Sequence, residues 1–333
     1  MQLAWLSICW VMLAMPPKAA AHELGHEQQI APAQSSAEVE RYLSEYRHTG
    51  NDAWLHAAEP FLWSPGVSQR ADLALLRAWH AQAEHKFARA LDQIEPLLAG
   101  GTRQPGLWLL HANLLRVQGR YAEARHSCRE VLNVQILTGQ LCLVQVDLAQ
   151  GTPVPAPHAD LFARLLDTSF SQTTDTGTQG WAFDVLAQLY ATVDRLDEAL
   201  VWAGRAYQAE DSIQRRAALT DLLLRAQQPR AALALVGEHP TAPALVVLRL
   251  SALKALGQLP QQSAEVARVH TAFQQQFTSG DYLHAREMAL FYLQIMPRPQ
   301  LARQLAVANW QHQREAEDRE LLVQTGGLQQ VDG

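Results

Sequence analysis

The chain has 333 residues, of which 48% are hydrophobic, enough apolar surface to build a sizeable core and too much for a disordered polymer. Its formal net charge is −6 and no run of Lys or Arg reaches five, so the basic stripe of a nucleic-acid binder is missing. Ala, Leu, Gln, Arg and Glu dominate while Ile and β-branched runs are scarce, a composition that favours helices over strands.

The chain opens with an apolar run from Leu3 to Met15, then Pro16-Pro17 and the small-residue stretch Ala19-Ala20-Ala21. That layout reads as a secretory signal peptide over residues 1–21, with cleavage after Ala21, and sets the expected location as periplasmic or secreted. The run falls short of the ~20 apolar residues a membrane span needs, so no stable span is expected after cleavage. Cleavage would remove Lys18 and no acid, making the mature chain one unit more negative. It would also remove Cys9 and leave Cys128 and Cys142 on consecutive predicted helices. Those two either pair in an oxidising compartment or stand as two small buried apolar residues.

Residues 22–36 are mostly polar and read as a flexible leader. They begin with His22-Glu23-Leu24-Gly25-His26, the spacing that on a helix puts two imidazoles on one face for zinc with Glu as general base. The context opposes that chemistry. The motif would lie at the extreme mature N-terminus, Gly25 weakens a helix, and no third ligand follows. A terminal amine with the His22 imidazole, helped by His26, remains a conceivable chelate for copper, nickel or zinc.

From residue 37 helical patterns alternate with short breaks. Val39–Arg47 with Asp52–Phe61 forms an opening hairpin. After it, two hairpins superimpose at one offset: Ala78 maps to Ala112, Phe87 to Tyr121, Ala90 to Ala124 and Leu98 to Leu132, each 34 residues apart. Further on, Phe183, Ala187, Tyr190, Asp194, Leu196 and Ala199 repeat the pattern, followed by Leu223, Pro229 and Ala232 and then by Gly280, Tyr282, Ala285 and Ala289. Looser pairs are Leu141–Gln150 with Ala159–Asp167, Val246–Leu256 with Ala264–Phe273, and Leu301–Gln311 with Glu315–Val323. Two interruptions stand out, the proline-rich Thr152–His158 and the polar Ser169–Gly180, each a candidate kink, insertion or partner loop. Residues 326–333 form a short tail.

The segment Trp108-x3-Ala112-x2-Leu115-x3-Gly119-x-Tyr121-x2-Ala124 resembles a tetratricopeptide (TPR) unit, and the 34-residue period agrees with it. The physical logic is that Ala112 and Ala124 let two antiparallel helices approach, Trp108 and Leu115 fill the space between them, and Gly119 makes the turn. The resemblance implies an all-α fold, a right-handed α-solenoid of about seven to eight TPR-like helical hairpins over residues 37–325. The opening Tyr42-Leu43-Ser44-Glu45-Tyr46-Arg47-x2-Gly50 and the late Ala308-Asn309-Trp310-x3-Arg314-Glu315 also resemble a group of exported bacterial TPR proteins. That likeness implies an envelope location and no particular chemistry.

In such arrays the first helix of each pair lines a concave face. Carried onto this chain, the family's groove positions are Leu75, Trp79 and Gln82, then Leu109, Asn113 and Arg116, then Asp184 and Gln188, and finally Asp221 and Arg225. A carboxylate clamp would want Lys where Leu75 and Leu109 stand, so the lining fits a peptide or helix laid along the groove, with Trp79 as a possible anchor.

The remaining histidines, His80 and His284 among them, fall at no ligand spacing and read as helix-surface residues. There is no phosphate loop, nucleophile elbow or nucleotide fingerprint. The sequence thus points to a non-enzymatic exported scaffold or adaptor. It would bind a protein or peptide partner in its groove, possess no cofactor, and serve envelope assembly in a Gram-negative bacterium. The alternative is a metal-binding or metal-delivery accessory protein using the His22/His26 leader.

Overall fold

A computed structural model describes residues 30–64, 70–169 and 176–328. Among the described residues there are seventeen α-helices and no strand. In chain order they are α1 (Ser36–Thr49), α2 (Ala53–Trp63), α3 (Ala74–Ala83), α4 (Phe87–Ala99), α5 (Pro105–Val117) and α6 (Tyr121–Leu132). Then come α7 (Ile136–Gln150), α8 (Ala156–Ser169), α9 (Thr176–Thr192), α10 (Leu196–Ala209), α11 (Ile213–Arg225) and α12 (Pro229–Val236). The last are α13 (Pro243–Ala255), α14 (Ser263–Ser279), α15 (Ala285–Gln294), α16 (Pro299–His312) and α17 (Ala316–Thr325). Consecutive helices pack in pairs. The signal-peptide segment, the HExxH motif with His22 and His26, and residues 329–333 lie outside the described residues.

One turn device recurs along the chain. A left-handed residue ends the first helix of a pair at His85 (φ 53°), Gly119 (φ 74°), Asp194 (φ 59°) and Gln227 (φ 58°). The amide of the next residue then reaches back to a carbonyl in the preceding turn. Lys86 N donates to Ala81 O (2.8 Å), Arg120 N to Leu115 O (2.9 Å), Arg195 N to Tyr190 O (2.9 Å) and Gln228 N to Leu223 O (2.8 Å). This closes each helix with the same capping motif and satisfies carbonyls that would otherwise be orphaned. The 34-residue step from Ala78 to Ala112 is therefore also a step in backbone conformation.

The apolar positions of the period do what their sizes suggest. Ala112 and Ala124 are 1% and 0% exposed, so α5 and α6 approach closely, and Leu115 fills the seam beside them. The Trp108 ring stands edge-on to His111 and His126, and its indole N–H donates to Thr102 O (3.1 Å). In the α9–α10 pair Ala187 and Ala199 are fully buried and Phe183 tilts against Trp202 at 5.4 Å. Cys128 and Cys142 form a disulfide that ties α6 to α7.

The structure departs from the sequence reading at several places. The end of the leader is held down. Ala33 is buried with its N–H on Ala57 O (2.8 Å), and the Tyr42 hydroxyl donates to Ala31 O (2.8 Å). Of the interruption at 169–180, residues 176–180 form the first turn of α9. There Gly180 is buried, and a Cβ on it would lie 2.4 Å from the Arg215 guanidinium, so only glycine lets that arginine pass. His80 and His284 are not surface residues; both are fully buried. His80 Nε2 lies 3.1 Å from Leu55 O, and Trp63 Nε1 donates to its Nδ1 (3.4 Å).

The array also meets itself. The C-terminus of α1 sits against the α10–α11 turn, with Arg47 Nε 3.1 Å from Glu210 and Gly50 against the side chains of Ala242 and Ile213. No described helix is long and apolar enough to cross a membrane.

Candidate functional site

The polar positions of interest lie on α5, α9 and α11, each the first helix of a consecutive pair. α5 presents Asn113 and Arg116, α9 presents Gln188, and α11 presents Asp221 and Arg225, at the spacings that put each set on one helical face. Asn113, Arg116, Gln188 and Asp221 are all buried, at 6%, 2%, 3% and 3% exposure. Arg116 and Gln188 meet the head of α17, the last of the described helices, while Asp221 faces α13 and α15. Arg116 donates to Asn113 Oδ1 (2.9 Å) and forms an ion pair with Glu315 (2.7 Å) at the head of α17. Gln188 Nε2 donates to Glu317. Glu320 contributes to the field at both Asp221 and Arg225.

The head of α17 is fixed from the other side by α15 and α16. Arg286 on α15 bonds Asp318 (2.6 Å) and approaches Glu315 (3.4 Å), while Asn309 on α16 donates to Asp318 Oδ1 (2.6 Å). Glu315 and Asp318 close a capping box, Glu315 N donating to Asp318 Oδ2 (2.9 Å). Immediately upstream, Arg314 N donates to Val117 O (2.7 Å) and the Tyr121 hydroxyl to Arg314 O (3.1 Å). Gly119 and Gly151, each at the end of an inner helix, leave room for the Arg314 and Arg319 side chains. The two cations thereby cross the negative ends of α5 and α7.

Electrostatically this is a dry, crowded seam. Burial pushes the Glu317 carboxyl up to about 8, with Glu315 adding to the rise. Burial likewise holds Asp221 well above its ordinary value and raises Glu287. Glu317 Oε2, Asp221 Oδ2 and Glu287 Oε1 are buried without a hydrogen-bond partner. His284, fully buried with its Nδ1 3.9 Å from Glu287 and neither ring nitrogen hydrogen-bonded, is driven down to about 3 by burial, and His85 lowers it further. A small cavity between α11, α13 and α15 is lined by Asp221, Glu287, Leu290 and Gln294 together with apolar residues of α13.

The remaining sequence-derived positions have other neighbours. Asp184 is buried and pairs with Arg215 (2.9 Å); burial lifts its carboxyl to about 7, against the pull of that arginine. Leu75 and Leu109 pack half-buried against the central apolar cluster, and Trp79 bridges that cluster and the one around α1 and α2. Gln82 is buried near the end of α3. Of the positions that the TPR resemblance implied, Arg116 and Gln188 bond residues at the head of α17, with Asn113 beside Arg116 and Asp221 and Arg225 in the field of Glu320. The resemblance missed Arg286, Asn309, Glu315, Glu317 and Asp318, for which the E-x-x-D capping signature at 315–318 was the available signal.

No model of a known protein family matches the chain, and comparison with curated proteins finds no relative. Among the described residues no group of three or more His, Cys, Asp or Glu side chains has the arrangement to hold a metal ion. What the site can do chemically is grip a helix: two amides and several guanidinium groups, from separate helices, meet a row of carboxylates.

Proposed function

We propose that this chain is an exported helical-repeat scaffold, a TPR-like right-handed α-solenoid that holds a protein partner on its inner face. One observation carries the reading: side chains of α5 and α9 bond residues at the head of α17, and Asp221 and Arg225 of α11 lie in the field of its Glu320. That convergence is the helix-in-groove mode of recognition, in which spaced side chains of the groove read one face of a helix. The recurring left-handed turns at His85, Gly119, Asp194 and Gln227 support the solenoid. The Cys128–Cys142 disulfide supports a periplasmic or secreted location, because such bonds persist in oxidising compartments.

The test is site-specific photo-cross-linking in envelope extract. A photoreactive residue replaces Leu109 on the inner face of α5 or Val201, 56% exposed on α10. A protein adduct at position 109 that is missing at 201 is the expected result. Adducts at 201 alone, or at neither, overturn the inner face as the binding surface.

A further inference from the structure

The inner face is not empty: α17 lies in it, and the manner of its binding describes what else would fit. α17 is the terminal helix, and it enters the face through Gln313–Glu315 after α16. Its hold on α5 and α9 is ionic and polar, through Glu315 and Glu317. Its buried apolar residues Leu321 and Leu322 belong instead to the cluster formed with α13, α15 and α16. Buried ion pairs contribute little net stability, because removing both charges from water offsets most of their attraction. Here the fit is also incomplete, since Glu317 Oε2 and Asp221 Oδ2 are buried without partners. The hold of α17 on α5 and α9 is therefore the weaker part of its attachment, the stronger being the burial of Leu321 and Leu322.

We infer that α17 is a resident, exchangeable occupant of the inner face, and that the face takes in its place an acidic helical segment of a protein partner. Such a segment would carry carboxylates at the spacing of Glu315, Glu317 and Asp318. The charge around α17 makes the commitment: Arg116 with the amides of Asn113 and Gln188 on one side, and Arg286 on the other, ask for carboxylates clustered at the first turn of a helix. This rests on the scaffold reading above and adds a regulator to it. Because α17 is tethered, its effective concentration at the face is high, on the order of millimolar for a short linker, so only a matching segment displaces it.

The experiment uses the full mature chain and a fluorescent synthetic peptide of residues 313–328. Glu315→Gln with Asp318→Asn removes the charges by which α17 is held and leaves the lining arginines intact. The double variant is expected to bind the peptide at least tenfold more tightly than the wild-type chain does, and a peptide carrying the same two changes is expected not to bind. Equal peptide binding by both chains, or none by a variant with native helical circular dichroism, overturns the inference. Hydrogen exchange of the wild-type chain gives a second arm that needs no variant: α17 amides are expected to exchange at least tenfold faster than those of α5 and α9. Equal protection overturns the inference even if the variant fails to fold. Stable wild-type dimers that bury α17 in trans also overturn it, by making the occupant a second copy of this chain. A partner adduct at position 109 with α17 never opening would keep the scaffold reading and discard the exchange.

Discussion

The α5–α6 hairpin and the seam between α17 and the inner face are two solutions to the burial of helix surface. In the hairpin, Ala112, Leu115 and Ala124 interdigitate with no polar atom to satisfy, and stability follows from apolar area and packing. In the seam, Arg116 and Glu315 are as deeply buried, at 2% and 1% exposure, yet every group there must find a partner or stay ionised at a cost. The first kind of contact tolerates small errors gradually. The second is all or nothing.

The largest break in that comparison should come from Arg116→Ala. It leaves Glu315 and Asn113 buried with one partner fewer, and should destabilise the chain by about 3–5 kcal/mol in chemical unfolding. The paired change Arg116→Met with Glu315→Leu should restore most of the loss, and failure to do so would mean that the pair contributes through more than charge neutralisation. Next, Leu114→Ala in the hairpin core, where Leu114 is fully buried, should cost about 3 kcal/mol without altering α17 exchange. A matched rise in α17 exchange would show that the two regions are not separable. Smaller again, Gly119→Ala forces a side chain into a left-handed turn and against Arg314, for about 1 kcal/mol by thermal melting.

The smallest and most specific effect is pH dependence. The folded-state value of Glu317, about 8, lies above its ordinary value because of burial, with Glu315 adding and Arg286 opposing. The folded chain therefore binds that proton more tightly than the unfolded chain, and its contribution to stability is lost as pH rises through about 8. The melting temperature should fall as pH rises from about 5 to about 8 and level off above that, and Glu317→Gln should flatten the slope. An unchanged slope in the variant would assign the titration to Asp184, raised to about 7, or to another buried acid. His284 acts in the opposite sense: with its folded value near 3, it should cost stability as pH drops below the ordinary imidazole value.

The contrast also explains what could be read in advance. The hairpins were legible because Ala112, Ala124, Ala187 and Ala199 recur at helix crossings, where only small residues fit, and because Gly119 punctuates a turn. Asp194 stood in the repeat where Gly119 makes its turn, but the turns at His85 and Gln227 were hidden, since neither His nor Gln advertises a left-handed backbone as glycine does. Asn113, Arg116 and Gln188 were picked out by the resemblance to TPR groove positions, but the helix they meet was not. The segment from Arg314 to Glu320 alternates charges as a solvated surface helix would, and nothing local reveals that Arg116 will meet it. His284 was misread for a related reason: burial of a neutral imidazole leaves no mark in sequence.

The ion pair between Arg116 and Glu315 joins residues 199 apart in the chain, and that separation bears on how the molecule could have evolved. An open array gains or loses a repeat at small penalty, because each unit touches only its neighbours. Here the last helix must arrive at side chains set almost two hundred residues earlier, so removing one hairpin between them would rotate and shift the whole seam out of register. The number of hairpins is thereby fixed by geometry.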